Sequence, residues 1–421
     1  MTATISAAAL SALADELLDW RFKGLPAGWS GQTPAQICSA QPRFFEEGPL
    51  GPVCVLRADA LAHNLDTMAR WCAERGVQLA PHGKTHMSPQ LCAKQIGAGA
   101  CAITAATVSQ VRTFRAFGIS SVILANELVD AAGLRWLASE LDHDAGFDVT
   151  CWVDSVRGVE IMTGELAAAG ATRRVDVCVE VGAAGARTGC RTDADIDAVA
   201  AAAASSPRLR LVGVAGYEAA LGHDVTPGAR DLVRAYLERM RSTVLRVAGI
   251  VESDVVMVTA GGSTHFDLVT EVLASGWPDG LAVRTILRSG AYLTHDDGLY
   301  RRTSPLTRTG GQPNGLLPAM SVWAQVCSRP EPDLAFLTLG RRDVSFDQDL
   351  PVSMTLPESI VTKLNDQHAF LRLGGGDADR AEVGSWLEFG ISHPCTVFDK
   401  WQMIPVLDAE DRVVELVRTF F

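Results

Sequence analysis

Eight short apolar runs, each followed by a stretch with helical patterning, constrain the fold of this chain more than any other feature. They are VQLA (77–80), CAIT (101–104), SVILA (121–125), VTCWV (149–153), VDVCVEV (175–181), LVGVAGY (211–217), VVMVTA (255–260) and VRTIL (283–287). Near-continuous Val, Ile, Leu and Ala in each run predicts strands buried on both faces, and strict strand–helix alternation predicts a parallel sheet. Eight such units are the number that closes a (β/α)8 barrel. The fold class expected is therefore α/β, a TIM-type barrel.

After residue 300 the pattern changes. Residues 305–320 (PLTRTGGQPNGLLPAM) read as a connection rich in Gly and Pro, and the remainder of the chain is strand-like: SVWAQVCS, DLAFLTLG, ESIVTKL, AFLRL, WLEFGIS, TVFDKWQMIPVL and VVELVRTFF. Turn signals such as RPEPD, LGGGDAD and LDAED separate them. The expected organisation is a helical extension over 1–48, a barrel over 49–304 and a smaller all-β domain over 305–421. The run PVCVLRAD (52–59) fits a strand of either part. Leu10, Leu13, Leu17 and Trp20 predict an amphipathic N-terminal helix with these four on one side. Trp323, Trp386 and Trp401 are expected in the core of the β-domain.

A net charge of −12 and the lack of any basic run exclude a nucleic-acid partner. No run of 18 apolar residues is present to cross a membrane, and the N-terminal stretch carries Asp15, Glu16 and Asp19 where a secretory signal needs bases. Ten cysteines without a CxxC pair point to reduced thiols in a cytoplasm, with Cys54, Cys101, Cys151 and Cys178 as small core residues.

In a barrel, chemistry sits at the carboxyl ends of the strands. The first strand ends in LAPHGKTHMSP (79–89), which presents Lys84 between His82 and His86; for both histidines a structural role in the turn and proton transfer stay open. Strand five leads to Arg187, and strand six to Tyr217 and then His223. Strand seven ends in Gly261-Gly262-Ser263-Thr264, and strand eight in a turn containing Gly290 and Tyr292. Glycines let backbone N–H groups approach an anion, and the last two loops of such barrels commonly hold a phosphate. An amine on the first strand and a phosphate cradle on the last two point to pyridoxal phosphate, with Arg187 suited to its phenolic oxygen and Tyr217 to its ring.

These motifs resemble those of the fold-type III pyridoxal phosphate enzymes of the D-threonine aldolase and D-serine dehydratase family. LAPHGKTHMSP is similar to the family's lysine strand, AATVSQ (105–110) and FGISSVILANE (117–127) to its next two motifs, and GARTG (185–189) to its arginine loop. TAGGSTHFD (259–267) and LRSGAYLTHD (287–296) resemble its phosphate loops; NDQHAF (365–370) and SHPCT (392–396) resemble its metal region. The resemblance runs from about residue 50 to the end, with the motifs in family order. It implies that Lys84 carries the cofactor, that the chain is a homodimer, and that the substrate is a small β-hydroxy D-amino acid.

His393 and Cys395 are the expected metal ligands. In an extended segment residues i and i+2 face the same way, so an imidazole and a thiolate reach one ion. The family resemblance pairs His-x-Cys with zinc-dependent dehydratases and His-x-Asp with aldolases, and a thiolate favours zinc. His368 is a further candidate for substrate contact.

The activity implied is that of a lyase. Lys84 is the expected base at Cα, and a metal on the β-hydroxyl eases its departure, giving a 2-oxo acid and ammonia. Retro-aldol cleavage by the same groups is the alternative. A racemase would need a second acid or base, typically a Tyr from the β-domain, and no Tyr occurs after Tyr300. A non-catalytic cofactor carrier would lack residues 321–421, and a metal-dependent hydrolase would want H-x-H on strand one. Met87, Gln110 and Ala215 depart from the family pattern near the substrate pocket.

Overall fold

A computed structural model describes residues 3–308 and 315–421. The chain forms two compact units. Ala69–Lys84 and Gln95–Gly290 make up the bulk of the first; Ala7–Met68, Thr85–Lys94 and Ala291–Phe421 form the second. Strand β1 (Val53–Arg57) belongs to the second unit, and the next eight strands to the first.

Those eight are β2 (Gln78–Leu79), β3 (Ile103–Ala105), β4 (Ser121–Glu127), β5 (Asp148–Val153), β6 (Val175–Val181), β7 (Leu209–Gly216), β8 (Val256–Ala260) and β9 (Val283–Leu287). Each coincides with one of the eight apolar runs. All pair in parallel, in the order β2-β9-β8-β7-β6-β5-β4-β3. The sheet closes where the N–H groups of Cys101 and Thr104 donate to the carbonyls of Leu79 and Pro81, with a bridge from His82 to Thr104. The result is the expected barrel.

Helices begin where short polar residues follow the strands. Thr107, Asp130, Ser155 and Thr192 each accept a backbone N–H from the first turn of the helix they precede. A cap of this kind is worth about 1 kcal/mol. Inside the barrel Ala80, Ala102, Ile123, Trp152, Cys178, Val212, Ala215, Met257 and Ile286 form one cluster. Three alanines leave the room that the fully buried Trp152 indole takes. Arg288 is buried there too, donating to Thr259 Oγ1 at 2.6 Å and to the Gly216 carbonyl at 2.7 Å. Burial holds its pKa below the ordinary value.

The second unit is built on a mostly antiparallel sheet. Its strands are β1, β10 (Met320–Glu331), β11 (Leu334–Leu337), β12 (Val352–Ser353), β13 (Ile360–Leu364), β14 (Ala369–Arg372), β15 (Trp386–Gly390), β16 (Met403–Leu407) and β17 (Val413–Arg418). The run at 52–59 pairs antiparallel with β10, Val53 opposite Trp323, and parallel with β16.

The N-terminal segment differs from the amphipathic reading. Its helix spans only Ala7–Leu13, while Leu17 and Trp20 are 59% and 89% exposed. The N–H of Leu18 donates to the Gln32 carbonyl and the Leu18 carbonyl accepts from Gly31, which draws the backbone out of the helix. Leu18, Phe22, Leu25, Trp29, Ile37 and Phe44 then pack on Val53, Val55, Met403 and Leu416, joined by Trp323 and Trp386 at the edge. Trp401 is fully buried.

All ten cysteines are unpaired. Cys54, Cys151 and Cys178 are core residues as expected, and Cys101 is half-buried against the barrel cluster. Among the described residues no helix is long and apolar enough to cross a membrane.

Candidate active site

In the barrel unit Lys84 lies in a 3-10 turn, Gly83–Thr85, directly after the first strand. The turn is seated tightly: a Cβ on Gly83 would come 2.5 Å from the Phe114 ring and 2.7 Å from Ile103. The Thr104 hydroxyl ties the strand below it by donating to the Ala80 carbonyl at 2.6 Å. Burial, then the positive charge of Lys84, holds the neighbouring His82 imidazole well below its ordinary pKa, so it stays neutral. His86, in the second unit, accepts the Ser88 N–H at 3.0 Å on its Nδ1, the turn role expected of it.

The arginine loop is a built structure. The Cys190 N–H donates to Glu180 O at 2.8 Å, the Gly182 N–H to Cys190 O at 3.1 Å, and the Gly189 N–H to Asp154 Oδ2 at 3.1 Å. Gly189 has φ +100°, which an L side chain rarely adopts. From this loop the exposed Arg187 guanidinium lies 4.9 Å over the ring of Tyr217. The Tyr217 backbone is pinned in turn, donating its N–H to Tyr236 Oη at 3.0 Å while that hydroxyl donates to Val181 O at 2.6 Å.

The two glycine turns are tied together, since Gly261 O accepts from both the Arg288 N–H and the Ser289 hydroxyl. Their donors are not arranged as the sequence suggested. The amides of Gly261 and Gly262 donate to the two oxygens of the fully buried Glu218 carboxylate, at 2.9 and 2.7 Å. An anion at this loop therefore meets the turn of Ser263 and Thr264, which leads into helix Phe266–Leu273. Gly262 is needed for close approach, because a Cβ there would lie 3.1 Å from the Tyr217 ring and 3.3 Å from Glu218 Oε1. His223 Nδ1 fixes the Thr264 hydroxyl at 2.8 Å. Gly290 is buried at the end of the second turn. An amine, an aromatic ring under a guanidinium, and a Ser-Thr turn at a helix start fit the aldehyde, ring and phosphate of pyridoxal phosphate.

In the second unit Tyr292 is buried in a 3-10 turn, Ala291–Leu293. His393 and Cys395 come together, but not along a strand. His393 has φ +61°, Pro394 is in the right-handed helical region, and Cys395 opens a short helical turn, Cys395–Phe398. The extended backbone expected here is thus replaced by a turn, because Pro394 cannot donate to a ladder and starts a helix readily. The His393 backbone is held in that conformation by Asp296, whose Oδ2 accepts its N–H at 2.8 Å.

Asp347 Oδ2 sits 2.5 Å from His393 Nδ1, and its other oxygen accepts the Thr396 hydroxyl. Burial lowers the His393 pKa, but Cys395 and then Asp347 outweigh it and raise the imidazole to about 9. The Cys395 thiol also donates to Thr85 Oγ1 at 3.4 Å. With Nδ1 taken by a carboxylate, Nε2 is left to ligate, the usual outer-shell arrangement of a metal-binding histidine. An imidazole and a thiolate suit zinc.

His368 is exposed in the turn joining β13 to β14, where its carbonyl accepts the Asn365 N–H, so it serves the hairpin. Glu218, Asp296 and Asp347 are given no role by any motif in the sequence. Each acts on residues distant in the chain, and a single acid in a loop carries no local signal of that.

Residues 56–270 match the model of the alanine racemase N-terminal domain, and residues 319–407 that of a putative serine dehydratase domain. A D-threonine aldolase of Arthrobacter sp is 29% identical over 369 residues, 86% of this chain and 90% of that protein. The D-threo-3-hydroxyaspartate dehydratase of Delftia sp. strain HT23 is 26% identical over 391 residues, 86% and 95% of the two. The crystal structure of D-threonine aldolase from Filomicrobium marinum shares the fold with a TM-score of 0.73 at 24% identity, covering 87% of this chain and 94% of that one.

Proposed function

This chain belongs to the alanine racemase N-terminal domain family of fold-type III pyridoxal phosphate enzymes, and from that premise we propose that it is a lyase of β-hydroxy D-amino acids that eliminates water to an enamine, which takes up water again to give a 2-oxo acid and ammonia. The aldolase and dehydratase relatives support the substrate class. Bound pyridoxal phosphate supplies an electron sink for negative charge at Cα. Lys84 would hold it, and its free amine would take the Cα proton at Nζ. Arg187 would pair with the phenolic oxygen and Tyr217 would lie against the ring. Ser263 and Thr264 would hold the phosphate together with the backbone at Gly290, since Glu218 already takes the amides of Gly261 and Gly262.

His393 and Cys395 would hold a divalent metal, zinc by donor preference, whose Lewis acidity assists a β-hydroxyl leaving group. The observation that carries the dehydratase reading is the thiol of Cys395 beside a carboxylate-held His393, at the position where the resembling aldolases usually have Asp. Retro-aldol cleavage to glycine and an aldehyde is the second reading, favoured by the higher identity to D-threonine aldolase. We propose a homodimer by the family resemblance, and a reducing cytoplasm in keeping with the unpaired cysteines.

Purified protein is incubated with D- and L-serine, D- and L-threonine and D-3-hydroxyaspartate, with and without a chelator. A 2-oxo acid plus ammonia from D-isomers only, lost on chelation, is the expected result. Glycine plus acetaldehyde from D-threonine would replace dehydration by the aldolase reading, and no turnover of any of them would overturn both.

A further inference from the structure

The barrel carries three carboxylates that the proposed lyase does not use. Glu127 ends β4, Asp154 directly follows β5, and Glu180 is next to last in β6. These strands are neighbours in parallel register, with Glu127 opposite Trp152 and Val153 opposite Val179, so the three acids emerge side by side at the carboxyl end. One oxygen from each lies within 4.8 Å of the others.

The fold does not satisfy them. Glu180 is only 6% exposed, yet no donor reaches its Oε2, and none among the described residues reaches either oxygen of Glu127. Asp154 accepts one backbone N–H, from Gly189, on Oδ2. No lysine or arginine among the described residues forms an ion pair with any of the three. Buried carboxylate oxygens without donors call for a proton or a cation. Glu127 shows the pressure, for burial, then a hydrogen bond with the Glu180 carboxyl and the charges of Glu180 and Asp154, raise its pKa to about 8.

We infer that Glu127, Asp154 and Glu180 form a binding site for a hard divalent cation of the calcium type at the carboxyl end of the barrel. All the donors are oxygens, which favours calcium, magnesium or manganese over zinc. Calcium–oxygen distances of about 2.3–2.6 Å let one ion touch oxygens spaced as these are, with partial exposure leaving room for water ligands. The ion would neutralise a triple negative charge and brace Asp154, the residue that holds the Gly189 amide and with it the loop carrying Arg187. The site is separate in composition from His393 and Cys395, and the inference stands whether or not the lyase reading does.

The test is calcium binding to the full-length, chelator-treated protein, by isothermal titration calorimetry and by terbium luminescence sensitised through Trp152. One equivalent per chain is expected. Glu127→Gln and Glu180→Gln should each weaken it by about tenfold or more, while His393→Ala leaves it unchanged, since calcium disfavours imidazole and thiolate donors. Absence of heat and emission at millimolar ion with the protein folded overturns the site. So does equal affinity in wild type and both variants. If Glu180→Gln does not fold, the half-exposed Glu127→Gln decides alone. A higher melting temperature of Glu127→Gln with no calcium bound by the wild type would mean that the acids share only a proton, and would also overturn the site.

Discussion

His393 presents its Nδ1 to Asp347 Oδ2 at 2.5 Å, so a carboxylate from a loop 46 residues upstream orients the imidazole that stands next to Cys395. Losing such an outer-shell partner typically costs about 10–100-fold in metal affinity. Asp347→Ala should therefore raise the metal concentration needed for half-maximal activity by that factor, with near-normal turnover at saturating metal. A metal titration of the chelated enzyme measures it. Unchanged metal dependence would separate Asp347 from the metal.

Lys84→Ala should abolish both the visible absorption of the bound cofactor and turnover, with the fold retained by circular dichroism. Colour and activity that persist in the variant would refute the anchor assigned to Lys84.

The Glu218 carboxylate is fully buried and accepts the amides of Gly261 and Gly262. Glu218→Ala strands both donors, at a cost of about 3 kcal/mol, and loosens the loop that leads to Ser263 and Thr264. Glu218→Gln keeps one acceptor and should retain more of the stability. Urea midpoints of the two variants, with cofactor titrations, check the order.

Glu127 titrates at about 8 in the fold against an ordinary 4.5. The folded protein holds the extra proton between these values, so this group's stabilising contribution is full below pH 4.5 and is lost as pH rises towards and through about 8. In chelator, wild type should lose stability relative to Glu127→Gln between about pH 4.5 and pH 8, with no further loss above. Parallel pH profiles from denaturant melts would contradict this.

His295 behaves in the opposite sense. It is 1% exposed, neither ring nitrogen has a hydrogen-bond partner among the described residues, and burial, aided by Arg301, lowers its pKa to about 4. Its neutral form is favoured in the fold, so the stability it contributes is present above about pH 6.5 and is lost as pH falls through about 4. The loss is on the order of 3 kcal/mol. His295→Gln should flatten the acid limb of the stability curve, which melts at pH 4, 5 and 7 would show.

The amino-acid order by itself determined the eight barrel strands, the helical stretches between them and the β-rich texture after residue 300, and it marked Lys84, Arg187, His393 and Cys395 as candidates. All of these rest on signals within a few residues: continuous apolar runs, helical patterning and short motifs. Tertiary structure decided the rest. It placed β1 between β10 and β16, which no local pattern distinguishes from a barrel strand. It left Leu17 and Trp20 exposed because Leu18 pairs with Gly31 and Gln32. It turned the backbone at His393 and Pro394 where spacing alone suggested a strand. It also gave the Gly261 and Gly262 amides to Glu218 and brought Glu127, Asp154 and Glu180 together. Hydrogen bonds between residues distant in the chain form only once neighbouring strands and loops are in register, and periodicity within one segment carries no record of them.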